Sequence, residues 1–553
     1  MATASSTRSL EDIASVQLVV GMEIHVELAT NTKLFTRVAN PARTVDGDEA
    51  ELAANQLIDP VVLALPGALP VLNKAAVELS MLVGLALRCS IAKHTKWDRK
   101  SYFYPDLPKA YQISQYDLPL CFDGSIDVPA VDAKGFPDLT QEGTRIGIIR
   151  AHLEEDAGKL LHDAPGGGHL DFSIADYNRA GTPLLEIVTQ PDFTSADQAV
   201  LFAKMLRNIC RFVGATEGVM QKGHMRFEPN INCKLTMRDG SVVKTPIVEV
   251  KNLNSFKSLK GAIEFELVEQ PGRWVEDGRV AGPGMKITRG WDDAANRTFV
   301  QREKEDAHDY RYFPDPDLPP VRVDERWLDA VRAKLPELPM DRFKRYVQQY
   351  NIAPKEAFAL VDERDVCFFY ERVIDAMVLG GSGIERDRAG KIAANLILQQ
   401  CFKRANEKGV EVDQLGISPA QLAAIGVMRE KGELNNQSLE VMVDACLIEA
   451  DRSNTTNETY VADAEGASAL QGVFERVRAM AAAKGLLVVK DDAQTKQWIA
   501  QVIAANPKVA EDVRSGKVAA AGRLVGEVMK LAAGKADAKT VRGMLFEELG
   551  VKE

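Results

Sequence analysis

Acidic side chains embedded in apolar, β-branched runs are the most chemically loaded feature of this 553-residue sequence. Glu23 and His25 stand in GMEIHVEL (21–28), Glu154 and Glu155 in HLEEDAGK (152–159), Glu186 in TPLLEI (182–187), Glu228 in MRFEPN (225–230) and Glu249 in VEVKNLN (248–254). Taking an ionised carboxylate out of water without a partner costs several kcal/mol, so acids in such surroundings need cations. Two kinds of partner are open. One is a shared divalent ion, for which magnesium is the economical choice, because it takes hard oxygen ligands and its usual task beside carboxylates is to hold and neutralise the phosphates of ATP. The other is a set of separate salt bridges to Arg145, Arg150, Arg179, Lys159 or Lys251.

Two further runs have the character of ligand surface. RKSYFYPDLPKAYQ (99–112) interleaves cations with aromatics and prolines, a pattern that can stack a base or ribose while pairing with phosphate, with Tyr104 the candidate stacking ring. A rigid, proline-packed turn explains the same residues. DYRYFPDPD (309–317) is similar, and Arg311 between its tyrosines is placed either to meet a phosphate or to stack at a junction. The triple glycine 166–168 sits in a polar connection and reads as a plain loop.

The elements that must position these residues can be read from periodicity. Val20, Met22, Ile24, Val26 and Leu28 alternate with Gly21, Glu23, His25 and Glu27, which predicts a strand with one apolar face and one face carrying Glu, His and Glu in a row. A solvated side of an antiparallel sheet is the simplest reading of that polar face, and a metal-binding face is the alternative. Residues 16–320 mix short β-rich runs with Pro, Gly, Asn and Asp punctuation and contain all seven histidines, so the chemistry is expected there. From Asp324 onward the pattern turns helical, interrupted by Pro336, Pro339, Pro354 and Gly380, Gly381 and Gly383, with an exposed connection expected near 451–458. The resulting class is α+β with an antiparallel sheet, followed by helical regions.

Composition narrows the function classes. Against 68 Lys and Arg stand 79 Asp and Glu, a net charge of −11, which excludes a protein that coats nucleic acid over its whole surface. Residues 496–553 reverse the balance, with 10 basic and 7 acidic side chains, a direction that suits contact with phosphate. The seven cysteines occur singly, without a C-x-x-C pair, which predicts neither a disulfide framework nor a cysteine-rich zinc site. The N-terminal residues lack the apolar stretch of a secretory signal, and the longest apolar run, 60–72, is broken by prolines and too short to span a bilayer, so a cytoplasmic protein with no membrane partner is expected. Neither the P-loop pattern G-x-x-x-x-G-K-[ST] nor H-E-x-x-H nor G-x-S-x-G occurs.

At GMEIHVEL, RKSYFYPDLPKAYQISQY (99–116), HLEEDAGK, DYNRAGTPLLE (176–186), EVKNLNSF (249–256) and DYRYFPDPDLPP (309–320), the sequence resembles the GatB family, the B subunits of aspartyl/glutamyl-tRNA amidotransferases. GKVAAAGRLVGEVMK (516–530) resembles the helical domain that this family shares with YqeY proteins. The resemblance implies a glutamine-synthetase-like cradle domain for ATP and Mg2+ over 1–320, an α-helical domain over 321–400, and an α-helical YqeY-like tail that contacts tRNA over 401–553. It implies phosphorylation by ATP of the side-chain carboxyl of Glu-tRNA(Gln) or Asp-tRNA(Asn). Amidation follows, by ammonia from an amidase, the A subunit of the complex, with a small C subunit making up the heterotrimer.

Carried over residue by residue, the resemblance assigns Glu23, His25, Glu155, Glu186, Glu228 and Glu249 to the metal and ATP site. Lys251, Arg226 and Arg311 are candidate phosphate or carboxylate clamps, and Tyr104 joins Arg226 and Arg311 as a nucleotide contact. The preference for Glu155 over Glu154 rests on the resemblance alone, since adjacent residues of an extended strand point to opposite faces. No amidase nucleophile signature is present, so a glutaminase partner is required. The chain departs from the family at Glu228-Pro229, where many members have Asp-Ala, at residues 37–56, and at DPVV (59–62), where some members carry a C-P-x-C zinc clip; no zinc is expected. Two rival readings are a free-standing ligase that amidates a small acid and a non-catalytic tRNA-binding scaffold.

Overall fold

The computed structural model describes residues 8–43, 52–163, 167–303, 310–453, 464–488, 492–532, 536 and 538–551. Gly166, Asp309, most of the expected connection at 451–458 and the centre of the divergent 37–56 segment lie outside them. The chain divides into two compact units, Met1–Asp341 and Arg342–Glu553.

The first unit is built on a long central strand, β1 (Ile13–Glu27), which extends the predicted alternation at its N-terminal side. Val20, Ile24, Val26 and the following Leu28 are wholly buried, and Met22 is 1% exposed, so one face of the strand belongs to the core. The other strands needed to describe the site are β2 (Asp98–Ser101), β3 (Tyr111–Ser114), β4 (Cys121–Val128), β5 (Thr144–Glu155), β6 (Pro183–Thr189), β7 (Met225–Met237), β8 (Val248–Lys251), β9 (Ile287–Asp292), β10 (Arg297–Glu303) and β11 (Phe313–Pro314). They belong to a 13-stranded sheet whose main path runs β10-β9-β8-β7-β1-β6-β5-β3-β2-β11, with β4 also paired to β5. The pairs on that path are antiparallel except β8 with β9, which is parallel. The sheet is therefore mixed rather than purely antiparallel.

Three helices pack on this sheet. Helix α1 (Lys74–Ala86) lies against β4 and β5, α3 (Phe256–Asp277) against β7, and α2 (Ala196–Phe212) against α1 and α3. Each begins at a polar cap: the side chains of Asn73, Ser195 and Ser255 accept hydrogen bonds from backbone N–H groups of the first turn. The motif EVKNLNSF is thus a strand-to-helix turn, with Glu249 to Lys251 ending β8, Asn252 in the left-handed region at φ 65°, and Ser255 capping α3.

The second unit is helical. Helix Pro419–Glu430 packs against Arg364–Leu379 and Ala464–Ala483, and a five-residue π segment, Ile397–Cys401, interrupts the helical run after Arg386–Leu396. Toward the C-terminus, Asp492–Ala505, Ala521–Leu531 and Ala538–Leu549 share an apolar core that includes Ile499, Val513, Leu524, Val528, Leu545 and Phe546. Among the described residues no helix is long and apolar enough to cross a membrane. All seven cysteines are buried thiols outside any disulfide.

Candidate metal and nucleotide site

Strand register brings the predicted acids together. His25 on β1 stands opposite Glu186 of β6 on one side and Arg226 of β7 on the other, and Glu23 stands opposite Glu228. One strand further out, Glu186 faces His152 of β5, and Asn230 of β7 faces Glu249 of β8. Directly opposed residues project from the same face, and so do residues two apart on one strand. Five strands therefore contribute to one polar stripe on the face opposite the buried alternates of β1.

Two adjoining trios result: His25, Glu154 and Glu186, and Glu23, Glu228 and Glu249, each with ligand atoms within 4.8 Å of one another. His25 sits between them. Its Nε2 lies 3.6 Å from Glu154 and 3.7 Å from Glu186, while Nδ1 faces Glu228 at 4.0 Å. The side chain of His25 is only 17% exposed, so this face of β1 is a recessed pocket floor and not the solvated side that composition favours.

Glu155 does not join either trio. Its carboxylate turns to the other face, where Lys109 Nζ approaches Oε1 to 2.5 Å and the Ile113 amide donates to the same oxygen at 2.9 Å. The place expected for it is taken by Glu154, two residues beyond His152 and hence on the His152 face, as alternation requires. Arg311 and Tyr104 belong to neither trio. Arg311 is exposed with φ 45°, and Tyr104, 53% exposed, lies just before the turn at 105–110.

The two trios differ in electrostatics. In the second, Lys251 donates to Glu228 at 2.6 Å and approaches Glu249 to 3.3 Å, while Lys286 lies 3.3 Å from Glu249 and 3.9 Å from Glu23. Asn230 donates to Glu23 and Thr288 to Glu249. In the first trio, Arg150 is 4.0 Å from Glu186, and His152 Nε2 is 3.6 Å from the same carboxylate. Burial, with Glu154 and Glu23 nearby, pushes Glu186 up to about 8, and burial likewise raises Glu154. Burial and the Arg226 guanidinium hold His25 down at about 3, and burial and Arg150 lower His152.

Such a set suits a divalent cation. Neutral imidazole and carboxylate oxygens are its ligands, and bringing in positive charge offsets the burial that raises Glu186 and Glu154. Among the described residues the buried Nδ1 atoms of His25 and His152 and Oδ1 of Asn230 have no hydrogen-bond partner, which adds polar capacity beside the trios.

The two aromatic runs form one wall. Arg99 donates from Nε to Asp315 at 2.8 Å and from Nη2 to Asp317 at 3.0 Å, and β11 pairs with β2. Tyr312 stacks on Tyr116 with centroids 4.1 Å apart, Tyr310 meets Tyr102 edge-on, and Lys100 lies over Tyr310. Burial and the charges of Glu154 and Glu186 raise Tyr312, which ties this wall electrostatically to the first trio. Arg226 donates to Asp156 at 3.2 Å, and Arg179 reaches the same carboxylate at 3.3 Å. Sequence reasoning missed Glu154, His152, Lys100, Asp156 and Lys286. The alternation His152–Glu154 was a usable signal for the first two, whereas nothing local marks Lys286, which reaches the pocket only because β9 runs parallel beside β8.

Known proteins match the chain over nearly its whole length. A family model described as GatB/GatE catalytic domain matches residues 18–329, and one described as GatB domain matches 383–549. The B subunit of the aspartyl/glutamyl-tRNA(Asn/Gln) amidotransferase of Carboxydothermus hydrogenoformans is 37% identical over 536 residues, covering 96% of this chain and 98% of the relative. The corresponding B subunits from Rhodopirellula baltica and Thermosynechococcus vestitus are 38% and 37% identical, covering 93% and 97% of this chain and 93% and 98% of their own lengths. With the catalytic-domain match over more than half its length and near-complete coverage of these relatives, the chain belongs to the GatB family of amidotransferase B subunits.

Proposed function

We propose that the chain is the B subunit of a tRNA-dependent amidotransferase, a ligase that converts Glu-tRNA(Gln), Asp-tRNA(Asn) or both to the amidated forms. The observation that carries the reading is the pair of carboxylate trios meeting at His25 on one sheet face. In the first half-reaction a side-chain carboxylate oxygen of the aminoacyl group attacks the γ-phosphorus of ATP, giving an acyl phosphate and ADP. In the second, ammonia attacks the acyl carbon, its nitrogen gives up a proton, and phosphate leaves with the electrons of the broken C–O bond. Phosphoryl transfer asks the protein mainly for alignment and charge neutralisation.

Each chain residue has a task in that scheme. Glu23, His25, Glu154, Glu186, Glu228 and Glu249 hold divalent ions, with Glu154 in the role first expected of Glu155. Mg2+ bound there supplies charge neutralisation for the phosphates. Lys251 and Arg226, held in place by Glu228 and Asp156, would serve as phosphate or carboxylate clamps. Lys100 and the Tyr102–Tyr310–Tyr312 wall limit water on the side of the first trio. The first 320 residues are read as the glutamine-synthetase-like cradle, 321–400 as a helical domain and 401–553 as the YqeY-like tRNA-binding tail. The amidase, or A subunit, supplies ammonia, the small C subunit holds the heterotrimer together, and the setting is the cytoplasm.

Purified with A and C partners, the chain converts Glu-tRNA(Gln) to Gln-tRNA(Gln) in the presence of ATP, Mg2+ and glutamine. The Glu23→Ala, His25→Ala double variant loses this activity while still assembling. Full activity in that variant would reject the site.

A further inference from the structure

Glu249 is the most heavily used carboxylate of the second trio. Its Oε1 is 3.3 Å from Lys251, its Oε2 is 3.3 Å from Lys286, and the Thr288 hydroxyl donates to Oε2 at 3.2 Å. A divalent ion that takes Glu249 together with Glu23 and Glu228 needs lone pairs that the two ammonium groups also use. Two cations cannot share the same carboxylate oxygens at contact distance without strong repulsion, so loading of this trio competes with lysine pairing.

The two lysines are not equivalent competitors. Lys251 makes a 2.6 Å bond to Glu228 from the end of β8. Lys286 makes none so short: its contacts are 3.3 Å to Glu249 and 3.9 Å to Glu23. It precedes β9, at the end of the 278–286 connection, and its side chain is 33% exposed against 39% for Lys251, so either ammonium has water to withdraw into and the longer, weaker contacts are what single out Lys286. It also bridges the two acids that Lys251 does not bridge together, and its departure therefore removes one ammonium contact from Glu23 and one from Glu249 at once, while Glu249 keeps Lys251 and Thr288.

We propose that Lys286 is the exchangeable counter-cation of the Glu23, Glu228 and Glu249 trio: it competes with a divalent ion for Glu249 and Glu23, and when displaced its ammonium is available to a phosphate in the same pocket. The inference rests on the reading of this face as a metal and nucleotide site. It makes Lys286 a positioning residue that couples metal loading to polyanion binding, since a bound polyphosphate stabilises the displaced lysine and so favours the metal-loaded state.

The test is Mn2+ binding to the full chain without nucleotide, followed by electron paramagnetic resonance and calorimetry. Lys286→Met and Lys286→Gln bind Mn2+ roughly two- to fivefold more tightly at one site, the scale expected when a partly exposed competing ion pair is removed. Lys286→Arg keeps the competition and stays near wild type. In a Glu249→Gln background, which removes the nearer contested ligand, the gain from Lys286→Met shrinks to what the longer Glu23 contact carries. Unchanged or weaker Mn2+ affinity in both neutral variants, or a gain that is undiminished with Glu249→Gln, overturns the role of Lys286. If wild-type and variant chains alike bind no Mn2+, the metal-site reading itself fails, a result distinguishable from loss of the Lys286 effect alone. Thermal melts of each variant identify any that fail to fold, and the Met and Gln substitutions serve as independent neutral replacements.

Discussion

Glu154 and Glu155 are chemically identical neighbours with opposite surroundings, and the pair makes the sharpest residue-scale prediction. Glu154→Gln removes a ligand from the first trio, so one equivalent of Mn2+ binding is lost and transamidation falls by about 100-fold or more. Glu155→Gln leaves Lys109 buried without its carboxylate, so stability drops by about 3 kcal/mol while Mn2+ stoichiometry is unchanged. Calorimetric titration and denaturant unfolding of the two variants separate these outcomes. Glu186 gives a second prediction, on pH. The folded protein holds its proton up to about pH 8, whereas the unfolded chain releases it near 4.5, so between those values the folded state binds more protons and stability falls as pH rises. His25, held neutral down to about 3, has the opposite sign, but its contribution is complete above 6.5. With EDTA present, stability should therefore decline between about pH 6.5 and 8, by at most about 1.4 kcal/mol per pH unit. Glu186→Gln or saturating Mg2+ should flatten that slope in thermal melts; an equal slope in the variant assigns the proton elsewhere.

At the scale of elements, the sheet's register does the assembling. A strand with Glu and His on alternate positions is by itself compatible with a wet outer face. It becomes a pocket floor because β6 and β7 flank it with Glu186, Arg226 and Glu228 in register, and β8 adds Glu249. The β2–β11 pair is the other decisive element. Asp315 has a side chain with no exposure, and Arg99 is its guanidinium partner at 2.8 Å. Arg99→Ala strands that carboxylate, and the local cost of a few kcal/mol should loosen β11 together with Tyr310 and Tyr312. Hydrogen exchange reports it directly: the amides of Ser101, bonded to Tyr310 O, and of Asp315, bonded to Trp97 O, should lose protection by about 100-fold, with amides of β1 unaffected. Retained protection at both amides means that the strand pairing alone holds the strap.

For the whole molecule, the cores of the C-terminal helices and of the sheet unit are built from different residues, so removing residues 496–553 should leave Mn2+ binding intact. The same deletion should weaken binding of the aminoacyl-tRNA acceptor and reduce the steepness with which affinity falls as salt rises, measured by filter binding at several salt concentrations. Unchanged acceptor affinity would favour a small free acid as substrate. By itself the sequence determined the identity of most of the chemistry: carboxylates in apolar runs need cations wherever they are buried, and the alternation of Val20 to Leu28 dictates which side of that strand is polar. It also marked the change from mixed β structure to helix, because helical and strand periods differ. Tertiary structure decided which acids come together. Glu154 displaces Glu155 because strand direction assigns each to its own face, and Lys286 enters because a parallel strand far along the chain is laid beside β8. Contacts of that kind depend on register between distant segments, and no single run of residues contains the information that fixes it.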